Sequence, residues 1–368
     1  MSHKIHILVN KESKMLGLYY GFWNWFFIFE KELEEIGIKV EFFYSINENF
    51  FEADHLFLNS RSIPTINDKI DLDFLKNIKI KNTNLYWFDM RDSAGTTQFE
   101  VLPYVKKYIK KQFYKDKNVY FNKIQGGRIY TDHYIKKYNI QDFNDYSLEL
   151  LTKSNLSKLI LGWNIGIAFF FDYVNFSKID YYIETIKLKY FKSNNYKMKL
   201  PFYENWIEDT NKYDFFSLMN TNFSRKSVGY QRQMLKKILR NINKKNKIIE
   251  GRLSKKKYYL SLRNSKVSVG AFGWGEVCYR EFEAIRSGTA FMTADMSNIE
   301  TWPNIYHEEQ TYLSYNFDFE NFIDNLNRLV NDVNLRKMFV NNSRDIMQNC
   351  HSSIGKDYFI KKIIEIIN

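Results

Sequence analysis

The stretch Ser265–Met296, SKVSVGAFGWGEVCYREFEAIRSGTAFMTADM, decides how the rest of the chain is read. Val267-Ser268-Val269 is a short β-type run that stops at a glycine cluster, Gly270, Gly273 and Gly275. Glu276 then opens a segment whose apolar residues Val277, Phe282, Ala284 and Ile285 suit one helix face, and Ser287-Gly288 ends it. A second β-type run follows from Thr289 to Thr293. Strand, glycine-rich loop, helix and strand make one parallel crossover unit. Such a loop lets backbone N–H groups approach an anion at the helix N-terminus, where the dipole also favours negative charge. Arg280 and Glu283 are three apart and so project from one side of the first turns. A cation for phosphate and a carboxylate for sugar hydroxyls, beside a bare backbone cradle, is nucleotide chemistry.

With its spacing, Gly273-x-Gly275-Glu276-x-x-x-Arg280-x-x-Glu283-Ala284-x-x-x-Gly288 resembles the donor-binding signature of GT-B glycosyltransferases, in the group with a glycosyl-transferase group 1 type C-terminal domain. The resemblance runs over roughly Asn220–Asn342. It implies an α/β fold in which two Rossmann-like domains face each other across a cleft. Residues 1–195 would form the acceptor-side domain, 196–355 the nucleotide-sugar domain, and 356–368 a terminal helix crossing back. By the same resemblance Arg280 lies near the donor diphosphate and Glu283 holds the ribose hydroxyls. The familiar pattern has two glutamates eight apart, whereas Glu276 and Glu283 are seven apart. Thr221, Arg232 (with Arg225 as its rival), Tyr259, Gly273, Gly275 and Glu276 complete the donor-side set that the resemblance implies.

Composition narrows the class. The 368 residues suffice for two domains with separate cores, and 45% hydrophobic with 18% aromatic content excludes a disordered chain. The formal charge is +12, part of it attributable to an A/T-biased genome that also favours Asn, Ile, Phe and Tyr. Nucleic acid, anionic lipid and polyanionic substrates compete as partners for such a charge. No zinc-ligand spacing, RNA-binding signature or arginine-rich arm is present, so nucleic acid is not the expected partner. Cys278 and Cys350 form no disulfide framework, which fits a reducing compartment. Met1–Val9 reads as a strand and not as a signal peptide. The most apolar run, Leu159–Phe171, is too short to span a bilayer.

The amino half repeats the strand–loop–helix–strand pattern: Lys4–Val9, a helix over Phe22–Ile36, then Ile38–Tyr44. The aromatic run GLYYGFWNWFFIFEKEL reads as a buried helix face, with a sugar-stacking platform as the alternative. Asp54–Asn59 and Asn84–Phe88 are further strands, and the second ends in DMRDSAGTT. A carboxylate-bearing loop at the carboxyl end of a strand is where open α/β sheets place ligands. Val105–Phe113 reads as a basic helix with a solvated lysine face, and Tyr130–Tyr134 as a hydroxyl-rich turn carrying His133. The linker falls near Ser193–Pro201.

The chemistry expected is transfer of a sugar from a nucleotide-diphosphate donor to a hydroxyl of a surface glycan such as lipopolysaccharide or capsule. A lipid-linked acceptor would place a cytoplasmic protein peripherally on the inner face of the membrane. Asp92 is the leading candidate for base or acceptor positioner, with Asp89 and His133 behind it. The competing account makes Asp92 a helix cap or a partner of Arg91. Asp71-Leu72-Asp73 is an Asp-x-Asp, but it opens a helix-like run where Asp serves as N-cap, so no metal and no other cofactor is expected. No P-loop or nucleophile elbow occurs. A related nucleotide-sugar epimerase or polyol-phosphate transferase is the runner-up, and a basic nucleic-acid-binding protein the alternative of another class.

Overall fold

The computed structural model describes residues 2–9, 22–23, 25–26, 28–66, 69–142, 149–167, 212–242 and 246–368. The expected linker at Ser193–Pro201, the end of the Leu159–Phe171 run and much of the aromatic run lie outside the described residues.

The amino half is built on β1 (His3–Leu8), β2 (Ile38–Phe43), β3 (His55–Asn59), the small hairpin β4 (Thr65–Ile66) and β5 (Lys69–Ile70), β6 (Leu85–Asp89), β7 (Lys107–Lys110), β8 (Gln112–Tyr114) and β9 (Leu159–Leu161). Six of them form one sheet in the order β2-β1-β3-β6-β7-β9, and every pairing is parallel. β3 and β6 are buried at every residue, as strands covered on both faces must be, and both are near-continuous apolar runs. The helices of this half are α1 (Glu30–Glu35), α2 (Leu72–Lys81) and α3 (Ile129–Tyr138). Asp71 caps α2 by accepting from the Phe74 N–H at 2.9 Å.

The carboxyl half carries β10 (Tyr213–Phe216), α4 (Lys226–Asn241), β11 (Lys247–Ile248), α5 (Lys255–Arg263), β12 (Ser265–Val269), α6 (Tyr279–Arg286) and β13 (Ala290–Ala294). β14 (Ile299–Thr301), β15 (Tyr312–Tyr315), α7 (Phe322–Asn331), α8 (Val333–Cys350) and α9 (Ser353–Ile367) complete it. Its sheet runs β11-β10-β12-β13-β15, again all parallel. Two doubly wound parallel sheets facing across a cleft are the GT-B arrangement, so the fold class is the α/β one expected.

Three local readings are corrected. Val105–Phe113 is not a basic helix but two strands. Lys110 is fully buried because Asp89, its register partner on β6, accepts from its ammonium at 2.8 Å. A lysine face that would be solvated on a helix is here half interior, which a charge count along the chain does not show. Tyr130–Tyr134 is not a turn but part of α3, with Tyr130, Thr131 and Tyr134 buried at helical spacing. The turn comes just before it, at Gly126 and Gly127, whose φ values of 69° and 71° suit glycine. Glu276 does not open a helix, since α6 starts only at Tyr279.

Two connections tie the halves together. β8 follows β7 but lies outside the six-stranded sheet and pairs antiparallel with β14, with Gln112 opposite Thr301 and Tyr114 opposite Ile299. α9 returns to the first sheet, where Phe359, Ile363 and Ile366 share a buried cluster with Ile5, Ile7, Trp25, Phe57 and Trp163. The Tyr86 hydroxyl donates to the Ile367 carbonyl at 3.1 Å. Among the described residues, no helix is long and apolar enough to cross a membrane.

Candidate functional site

A cavity of about 380 Å³ opens between the halves. It is lined from loops that follow β3 (Arg61), β6 (Asp92), β7 (Lys111), β9 (Ile165), β10 (Leu218) and β12 (Trp274, Gly275). Every one of these loops leaves the carboxyl end of a parallel strand, the edge at which open α/β sheets bind ligands. Its size falls in the range of small-molecule sites.

On the carboxyl wall, Arg232 of α4 and Arg280 and Glu283 of α6 line the cavity. Arg232 donates from Nε to the Phe272 carbonyl at 2.6 Å and from Nη1 to the Asn220 carbonyl at 3.0 Å, and it lies over the Phe223 ring. These contacts hold a guanidinium that is only 7% exposed. Burial, and then the nearby Arg280, lower its pKa. Burial works to lower the pKa of Arg280 as well, but Glu281 beside it prevails and raises it, so Arg280 stays charged at the cavity. Glu283 accepts from the Tyr258 hydroxyl at 2.8 Å on one oxygen and from the Tyr259 hydroxyl at 2.9 Å on the other. Burial, reinforced by the Glu283 charge, raises both tyrosine pKa values, so both remain donors that fix the carboxylate's direction. Tyr258 lines the cavity, whereas Tyr259 stands behind Glu283 and Thr221 and Gly273 lie off the wall. Arg225 reaches instead to the Gly126 carbonyl.

On the amino wall, Asp92 presents a carboxylate with 53% side-chain exposure, paired with Lys111 at 3.1 Å. Enclosure by the cleft works to raise its pKa, but Lys111, with Arg61 and Lys110 behind it, prevails and lowers it. Asp92 is therefore a carboxylate at neutral pH. Neither competing account of Asp92 applies, because Arg91 pairs with Asp89 and the next helical turn begins only at Phe99.

Asp89 and His133 are corrections. Asp89 is wholly buried and accepts from the Tyr108 hydroxyl, the Lys110 ammonium and the Arg91 N–H. Burial would raise its pKa, yet Lys110 and Arg91 hold it at about 2. It shapes the loop carrying Asp92, since Lys110 also donates to the Thr96 carbonyl at 3.0 Å. His133 lies away from the cavity, with Nε2 at 3.0 Å from Asp318 of the other half. Glu276, expected beside the donor, is turned to the amino half. Its oxygens accept from the Ser93 hydroxyl, the Ala94 N–H and the Gln112 side-chain amide.

Sequence reasoning missed Arg61, Lys111, Gln112 and Trp274 as lining residues. Lys111 and Gln112 were hidden by the helical reading of their segment, whose apolar residues Val105, Tyr108, Ile109 and Phe113 fall at helical spacing and give no alternation to mark the strands. Glu281 was also missed. It is 2% exposed, neither oxygen makes a hydrogen bond of ordinary geometry, and burial raises its pKa to about 7. Among the described residues, no three His, Cys, Asp or Glu side chains converge as a metal site.

No protein-family model and no curated protein matches the chain. Among solved structures it is similar to an alpha-glucosyltransferase in complex with UDP-glucose and DNA containing an abasic site, at 11% identity and TM-score 0.44 over 100% of both chains. It is also similar to a glycosyltransferase from Rickettsia africae ESF-5, at 12% identity and TM-score 0.43 over 100% of this chain and 98% of that one. An alpha,alpha-trehalose-phosphate synthase (UDP-forming) from Burkholderia vietnamiensis matches at 9% identity and TM-score 0.48, over 100% and 98%.

Proposed function

We propose that the protein is a glycosyltransferase that moves a sugar from a nucleotide-diphosphate donor to an acceptor hydroxyl. The observation that carries this reading is the convergence of Arg232, Arg280 and the tyrosine-held Glu283 on one wall of the interdomain cavity, opposite Asp92. The two guanidiniums neutralise the leaving diphosphate without a metal, and Glu283 accepts from the ribose hydroxyls. The bond from the anomeric carbon to the diphosphate oxygen breaks and one to the acceptor oxygen forms. The acceptor proton passes to Asp92 in an inverting transfer, or to the leaving phosphate oxygen in a retaining one. Asp92 aims the acceptor hydroxyl in either case. The acceptor we favour is a hydroxyl of a surface glycan, lipid-linked at the inner face of the membrane. The +12 charge supports adhesion to anionic lipid, which should weaken steeply with salt.

Thermal shift against UDP, GDP, CMP and a short oligonucleotide tests the class. Stabilisation by a nucleoside diphosphate at low micromolar levels is expected, and a salt-sensitive response to the oligonucleotide alone would overturn the reading. A panel of nucleotide sugars with mass-spectrometric readout then identifies the donor.

A further inference from the structure

Glu276 sits in the donor-side glycine loop, but its carboxylate is spent entirely on the other half of the molecule. It is 3% exposed, and three amino-half groups donate to it: the Ser93 hydroxyl at 2.9 Å, the Ala94 N–H at 3.0 Å and the Gln112 amide at 2.8 Å. The network reaches further through two of those partners. Gln112 Nε2 also lies 2.7 Å from the Asp92 carbonyl, and Ser93 Oγ accepts from the Gly95 N–H at 3.1 Å. One carboxylate thus organises four consecutive residues, Asp92 to Gly95. Gln112 is itself a rung of the ribbon that joins the halves, opposite Thr301. Tyr130 and Arg128 pin the same glycine loop from the amino half, donating to the Gly273 carbonyl at 2.8 Å and the Trp274 carbonyl at 2.7 Å.

A carboxylate removed from water is costly unless its oxygens are satisfied, and a buried ion retained in this way marks a position where geometry matters. We propose that Glu276 is a positioning residue and not a donor ligand: it locks the donor loop and the acceptor loop into one body and so sets Asp92 at a constant distance from the donor. Acceptor aim is then built into the ligand-free protein and does not wait for the domains to close. The role given to Asp92 rests on the glycosyltransferase reading above, whereas the lock itself does not.

The test uses the full chain with Glu276→Gln and Gln112→Ala, measured two ways. Glu276→Gln replaces an acceptor oxygen with an amide donor that faces other donors, and Gln112→Ala removes a partner without touching the donor loop. Hydrogen exchange, read by mass spectrometry on peptides covering residues 89–98, reports the lock without need of a substrate. Exchange at Asp92–Gly95 should quicken by about tenfold or more in both variants, as loss of a charge-assisted hydrogen bond implies. Affinity for UDP and GDP should stay within about threefold of wild type, because Arg232, Arg280 and Glu283, the groups assigned to the nucleotide, are untouched in both variants. With a donor in hand, kcat for transfer should fall while the donor KM holds. Unchanged exchange in Glu276→Gln would overturn the proposal. So would a tenfold loss of nucleotide affinity in Glu276→Gln with Gln112→Ala binding normally, since that pattern belongs to a donor ligand. If the wild-type protein binds neither nucleotide, the glycosyltransferase reading fails, while the exchange result still decides the lock.

Discussion

The backbone carbonyl of Asp92 faces Gly275 so closely that a Cβ built on Gly275 would lie 1.8 Å from that oxygen. The two loops that bear the candidate acceptor and donor groups therefore meet backbone to backbone, and a glycine is needed there because of the neighbour. Gly275→Ala must push the loops apart. A stability loss of about 1–3 kcal/mol is expected, read as a melting temperature lowered by several degrees. An alanine variant that melts with the wild type would mean the loops do not touch in solution.

Asp92→Asn keeps the shape of the side chain and removes its charge. Because the carboxylate is half exposed and its pair with Lys111 faces the cleft, stability should change by less than about 1 kcal/mol. Turnover should fall by about 10²–10⁴-fold with nucleotide binding retained. Near-normal kcat would remove Asp92 from the reaction.

The Tyr258 and Tyr259 hydroxyls aim the Glu283 carboxylate from two directions. Glu283→Ala should weaken nucleoside-diphosphate binding by about 1.5–3 kcal/mol. Tyr258→Phe and Tyr259→Phe should each weaken it by about 0.5–1.5 kcal/mol. Calorimetric titration of the three variants checks the order, and wild-type affinity in Glu283→Ala would end the donor-site assignment.

Glu281 predicts a pH signature. Burial raises its folded pKa to about 7 from an ordinary value of 4.5, so the folded state favours the proton. Its stability contribution is complete below the unfolded value and is lost as pH rises through about 7. Glu281→Gln, a permanent mimic of the protonated acid, should match wild type near pH 4.5 and exceed it by about 3 kcal/mol at pH 8. Paired melting curves from pH 4.5 to 8 check this. A pH-independent difference would mean that Glu281 keeps its charge throughout.

Asp71 and Asp73 separate structure from metal chemistry. Asp71→Ala should cost about 1 kcal/mol through loss of the α2 cap, and Asp73→Asn should be silent. Turnover should survive EDTA. Activity abolished by chelator and restored by Mn²⁺ would point to a metal-assisted transfer.

What the sequence by itself determined is local and periodic. Strands such as Asp54–Asn59 and Asn84–Phe88 are legible because burial on both faces demands unbroken apolar runs. The glycine loop and the side shared by Arg280 and Glu283 follow from turn chemistry and helical spacing. Together these specify two strand–loop–helix–strand halves, hence the α/β class. What only the tertiary structure decided is every pairing between residues remote in the chain. Lys110 is interior because Asp89 comes beside it across a strand register. His133 is bound by Asp318, and Glu276 turns from its own cavity to Ser93, Ala94 and Gln112, more than 160 residues away in each case. A buried charge takes whichever partner the packed halves bring within hydrogen-bond reach, and no period along the chain encodes which one that is.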